Sequence, residues 1–167
     1  MGDVTAANAG QELQRLKDIE EIKRLKYDYC YWGDVWPNQS NSPDKQAALF
    51  AEEGVWDVVP PLRSVGPKAI AAALNGMTGF FHTILHIVMS PRIDVNGDSA
   101  TGTWYLVCPC TPASKPETQP AWLIGQYHEK YVRTAAGWRY QLMSYKGQFS
   151  ADFLNSSPAA NVAAARK

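Results

Sequence analysis

With 167 residues, 46% of them hydrophobic, the chain has the size and apolar content of one folded domain. Its 16 basic and 16 acidic side chains cancel, which argues against a nucleic-acid partner, since that function asks for a basic face. No apolar run reaches the roughly 18 residues of a membrane span, and Met1 to Glu12 lack the apolar centre of a secretory signal, so no membrane partner and a cytoplasmic location are expected.

Residues 1–12 are read as a flexible N-terminus, 13–150 as the folded domain, and 151–167 as a C-terminal tail, of which 156–167, poor in large apolar groups, reads as disordered. From Gln11 to Trp32 the spacing of Leu13, Leu16, Ile19, Ile22, Leu25 and Tyr29 predicts a long amphipathic helix that stops at Gly33. Residues 35–43 hold two prolines and several Asn and Ser, and read as a loop. Pro43-Asp44 opens a short helix to about Ala51, Val55 to Val59 is a candidate strand, and Gly66-Pro67 starts a second short helix over Lys68 to Leu74. Residues 83–95 are β-branched and apolar, and Asn96-Gly97 then predicts a tight hairpin into a strand from Thr101 to Cys108. Four prolines in 109–120 predict a loop. Trp122 to Arg133 and Trp138 to Lys146 form a second hairpin about Ala135-Ala136-Gly137.

Helices first and long antiparallel strands afterwards make an α+β plan without internal repeats. The helices are the available cover for the sheet, and a curved sheet closed over a long helix encloses a conical space. Its expected lining includes Tyr29, Trp32, Trp56, Phe80, Met89, Trp104, Tyr105, Trp122, Tyr127 and Met143. Six tryptophans suit a large apolar pocket, although the same rings would also serve a solid core.

Two residues break the local pattern. Asp34 follows the aromatic run Tyr27-Asp28-Tyr29-Cys30-Tyr31-Trp32, where a carboxylate is at risk of burial and needs a partner. His86 interrupts Ile84-Leu85-His86-Ile87-Val88, so its imidazole faces either core or pocket. Each has a plainer reading, as a helix-end cap and as a hydrogen-bonded core histidine. His82 shares a face with His86 if the strand already runs through 82. His128, alternating with Tyr127, is expected to face outward. The histidines lack metal-ligand spacing, so no metal is expected. Cys30, Cys108 and Cys110 have no CxxC spacing and read as buried free thiols.

The run from Leu16 to Tyr29 followed by Asp34 resembles the opening of the SnoaL-like branch of the nuclear transport factor two-like superfamily. So do Ala48 to Trp56, Gly66 to Ile70, His86 with Ser90-Pro91-Arg92-Ile93, Gly125 to Tyr131 and Gly137 to Tyr140. The resemblance spans about residues 13–148. It implies a cystatin-like cone, a curved antiparallel sheet wrapped on a long N-terminal helix and two short ones. Within the branch the pattern is nearest to the bile acid 7α-dehydratase group, then to lindane dehydrochlorinase and scytalone dehydratase. These groups use an Asp–His dyad, which implies catalytic roles for Asp34 and His86, and for Tyr29 as a matching helix tyrosine. His82 resembles a second histidine of the dehydrochlorinases. The arginine that relatives carry at the last strand is missing: Met143 stands near that position and Lys146 is the nearest basic group.

What the resemblance implies is a lyase without a cofactor, a dehydratase that removes water from a hydrophobic β-hydroxy carbonyl compound of steroid, terpenoid or polyketide type. Imidazole suits such chemistry as base and then acid. Asp34 would orient the ring, and Tyr29 or Tyr127 would donate to the carbonyl oxygen. Trp56, His82, Met89, Trp104, Trp122, Tyr127 and Met143 are the expected substrate-binding residues. An isomerase, cyclase or dehydrohalogenase on the same dyad, or a non-catalytic pocket or subunit, stays open as an alternative. The uncovered sheet face, with the trimers of the similar enzymes, implies a homotrimer, with a dimer second.

Overall fold

The computed structural model describes residues 6–59, 62–114 and 121–152. The C-terminal tail expected over 151–167 falls almost wholly outside them, and its part expected to be disordered, 156–167, wholly so. Helix α1 runs from Ala6 to Gly33, so it begins inside the stretch expected to be flexible. Residues 8–17 are all exposed, Leu13 and Leu16 included, and Asp18 is the first buried helix residue among those whose side chains are described. The buried stripe is therefore Asp18, Ile22, Leu25, Lys26, Tyr29 and Cys30, with two charged members that apolar periodicity does not reveal.

Helices α2 (Pro43–Ala47) and α3 (Pro67–Gly76) each begin on a proline, whose missing N–H costs nothing in a first turn. The described strands are seven, two before α3 and five after it: β1 (Phe50–Asp57), β2 (Ser64–Val65), β3 (Phe81–Ile84), β4 (Ile87–Asn96), β5 (Ser99–Pro112), β6 (Ala121–Thr134) and β7 (Gly137–Asp152). They form one sheet in the order β2-β1-β7-β6-β5-β3, with β4 also paired to β5. The sheet is mixed and not wholly antiparallel, because β1 runs parallel to β7. Gly97 and Gly137 adopt φ of 60° and 92° at the β4–β5 and β6–β7 turns, where other residues would be strained.

Strand β5 shows why one face is core. Ala100, Gly102, Trp104, Leu106, Cys108 and Cys110 are buried in strict alternation with more exposed neighbours. The strand runs on through Pro109 to Pro112, where prolines predicted a loop. Pro109 is tolerated because its missing N–H would face the break between β3 and β4, where its carbonyl accepts the Leu85 N–H at 3.1 Å. The inward face meets α1, and the core joins Ile22, Leu25 and Tyr29 to Phe50, Trp56, Ile70, Leu74, Trp104, Tyr127, Tyr140 and Met143. None of the described helices is long and apolar enough to cross a membrane.

Candidate active site

The site is built at the break in the sheet edge. Strand β3 stops at Ile84, which exchanges two backbone hydrogen bonds with Val35 (3.0 and 3.1 Å). That bridge pins the residue after α1 beside the end of β3. His86 therefore lies between β3 and β4, not within a strand, and its backbone N–H has left the ladder. Asp34 takes it: Oδ1 accepts the His86 N–H at 2.8 Å and also meets His86 Nδ1 at 2.8 Å. A carboxylate only accepts, so in the neutral ring this contact selects the tautomer with its proton on Nδ1 and leaves Nε2 as the acceptor. Asp34 is buried at 7% exposure, and Asp34 is held by its own N–H to the Cys30 carbonyl at 3.0 Å.

His86 lines a cavity of about 190 Å³ between α1, α2, α3 and the sheet. Tyr29, Trp56 and Tyr127 line it as well, with an apolar remainder that includes Val58, Leu74, Phe81, Ile84, Leu106 and Leu123. None of its described lining residues is Asp, Glu, Lys or Arg. Asp34 stands behind His86, outside the lining. The Tyr29 hydroxyl accepts the Trp56 Nε1–H at 2.9 Å, which leaves its own proton free to donate. Burial pushes the Tyr29 and Tyr127 phenols well above the ordinary tyrosine range, so both remain protonated donors. Cys108 also lines the cavity, and burial pushes its thiol up to about 12, which keeps it un-ionised and a poor nucleophile.

The other residues named from the sequence lie elsewhere. Met89 is 40% exposed and is paired with the exposed Tyr105 on the outer sheet face. Trp104 is sealed in the core with its Nε1 donating to the Tyr131 hydroxyl at 3.1 Å, and Met143 is fully buried. His82 and Phe80 are exposed, and neither they nor Trp32 and Trp122 line the cavity. His128 is on the outer face, opposite in sense to Tyr127.

Three polar residues were missed. Gln46, on α2, is buried, lines the cavity and donates from Nε2 to the Tyr29 carbonyl at 3.0 Å. Lys26 and Glu129 form a fully buried ion pair at 2.6 Å, with the Tyr131 hydroxyl also on Glu129 and the ammonium 3.3 Å from the Tyr127 ring centre. The pair lies against the ring of a cavity wall and fixes it. Among the described residues, no group of three or more His, Cys, Asp or Glu side chains is placed to hold a metal ion.

Solved structures share this arrangement of helices and sheet. A candidate scytalone dehydratase from Novosphingobium aromaticivorans superposes with a TM-score of 0.72 at 24% identity, over 83% of this chain and 89% of that one. A hexachlorocyclohexane dehydrochlorinase, LinA type 2, gives 0.75 at 17% identity, over 87% and 95%. An NTF2-like protein with a cystatin-like fold, also from Novosphingobium aromaticivorans, gives 0.67 at 22% identity, over 96% and 97%. At such identities the likeness carries the fold. The sequence profile of the SnoaL-like domain matches residues 14–144, a span that takes in Asp34, Gln46 and His86, and the chain belongs to that family.

Proposed function

We propose that the protein is a carbon–oxygen lyase, a dehydratase of small neutral β-hydroxy carbonyl compounds, with Asp34 and His86 as its acid–base dyad and Tyr29 as its oxyanion donor. The observation that carries this reading is the double hold of Asp34 Oδ1 on the ring and backbone of His86 at the wall of an apolar cavity. Nε2 takes the proton next to the carbonyl, and its electron pair moves into the carbonyl to give an enolate. Tyr29 and Tyr127 donate to that oxygen as charge gathers on it. The enolate then collapses to the conjugated double bond, the carbon–oxygen bond breaks, and the proton on Nε2 goes to the departing hydroxyl as water. One nitrogen serves both steps, so both groups leave from one face. The proposed steps draw on side chains of this chain alone.

The size of the cavity refines the substrate. A void of about 150 Å³ holds one benzene ring, so 190 Å³ suits one or two rings of terpenoid or polyketide type better than a four-ring steroid. A lining without Asp, Glu, Lys or Arg among the described residues favours a neutral molecule over a carboxylate or phosphate. A screen of neutral β-hydroxy ketones, followed by the rise of enone absorbance, tests the reading. His86→Ala should lower turnover at least about 10²-fold while the protein remains folded. Near wild-type turnover in that variant would exclude the dyad.

We also propose a homotrimer, built on the outer sheet face, and a cytoplasmic location. Free, buried Cys30, Cys108 and Cys110 suit a reducing compartment. Cell fractionation that found the protein in an oxidising compartment would count against the second of these.

A further inference from the structure

The wall beside His86 carries a polar group with spare bonding capacity. Gln46 is 4% exposed and lines the cavity, and its carboxamide spends one N–H on the Tyr29 carbonyl at 3.0 Å. Its carbonyl oxygen and second N–H have no partner among the described residues. The oxygen is not sealed in the core, so the two unused positions open on the cavity and favour a ligand that can fill both. Its place relative to the base follows from Gly33. A Cβ there would lie 2.5 Å from Gln46 Nε2 and 3.4 Å from His86 Cε1, so the carboxamide and the imidazole flank the same glycine. Cε1 is bonded to both ring nitrogens, and Nδ1 is turned to Asp34. The carboxamide of Gln46 therefore shares one side of the cavity wall with the imidazole.

We propose that Gln46 recognises the departing hydroxyl group and restricts the cavity to substrates that carry an alcohol there. The inference rests on the dehydratase reading and deepens it. A hydroxyl is donor and acceptor at once, so it satisfies the carboxamide oxygen with its proton and the carboxamide N–H with its lone pair. A halide or a hydrogen at that position leaves the buried oxygen unpaired, and a site built to bond a hydroxyl rejects an analogue that lacks it. Holding the hydroxyl oxygen at this point also keeps it within reach of the proton on Nε2 when the carbon–oxygen bond breaks. Gly33 has a part in this: it is the clearance that lets Gln46 approach the base.

The test uses two unreactive probes. One is a cyclohexanone with a β-hydroxyl group whose intervening carbon bears two methyls, so that no proton can be removed on that side. The other is the same ketone without the hydroxyl. Titration followed by ligand NMR should show the wild-type protein binding the hydroxy ketone about tenfold tighter, the worth of a well-made buried hydrogen-bond pair. Gln46→Met, close in shape, should bind the two equally. Gly33→Ala, which leaves the carboxamide intact but displaces it, should shrink the preference, and serves if Gln46→Met proves poorly folded. Equal wild-type affinities, a preference that survives in both variants, or no binding of either ketone would overturn the proposal. The parent reading fails separately: turnover that persists in His86→Ala would exclude the dyad while a hydroxyl preference lost in Gln46→Met still stood.

Discussion

Asp34 Oδ1 accepts two hydrogen bonds from one histidine, one from the ring and one from the backbone, each at 2.8 Å. Replacement by asparagine preserves the shape and changes the chemistry. An amide oxygen can still receive the backbone N–H, but it neither stabilises an imidazolium nor selects the tautomer with the same strength. Asp34→Asn should therefore lower kcat at least about 10²-fold with KM nearly unchanged, measured on the substrate found by the enone screen. A variant with wild-type kcat would show that the carboxylate charge plays no part. Asp34 and His86 are legible in the sequence because each contradicts its surroundings, a carboxylate after an aromatic run and an imidazole within an apolar one. Gln46 is not, because α2 has only five residues and so short a helix declares no face.

Among the elements, α1 shows where periodicity misleads. Leu13 and Leu16 fit the apolar repeat yet are 54% and 55% exposed, while Asp18 and Lys26 on the buried stripe are charged. A partner on the sheet compensates each of these. Glu129 answers Lys26, and the alternation with Tyr127 and Tyr131 marks it as inward-facing even in the sequence. Arg133 answers Asp18 with two hydrogen bonds of 2.8 and 2.7 Å, and Trp138 Nε1 adds a third at 3.3 Å. Such pairing spans more than a hundred residues and is invisible to local pattern. The Arg133 guanidinium, more than any other neighbour, holds the Asp18 carboxyl below the usual aspartate range. A depressed native value means that ionised Asp18 stabilises the fold above the ordinary value near 3.9, and that this stabilisation is lost as pH falls through the lower native value. Asp18→Asn should cost about 2 kcal/mol at neutral pH. The gap between wild type and variant in urea unfolding should hold steady above about pH 5 and close as pH drops below about 4. A gap that widened in acid would contradict the ion pair as its source.

For the whole molecule, the helices cover one face of the sheet and leave the other bare. Across strands β4, β5 and β6 the outer face carries Ile87, Val107 and Ile124 in one cross-strand row and Met89, Tyr105 and Gln126 in the next. Ile87, Met89 and Tyr105 are 40%, 40% and 53% exposed, and no described element shields them. Adjoining exposed apolar residues on one sheet face are the usual mark of a buried interface. Farther along the same face lie Arg92, Thr103, His128 and Ser144, so the apolar region has a polar border. Asp34 and His86, by contrast, meet within one chain, and the cavity lies on the inward side of the sheet, where Leu106 and Cys108 line it, opposite to Tyr105. Assembly and catalysis should therefore separate. Sedimentation at micromolar concentration should give three times the chain mass for the wild type. Tyr105→Lys, which sets an ammonium in the middle of the apolar rows, should shift it toward the chain mass while turnover per chain stays within about twofold, because a surface change away from the site costs little. A wild-type monomer would remove the trimer from consideration. A monomeric variant without activity would show that the neighbouring copies complete the site after all.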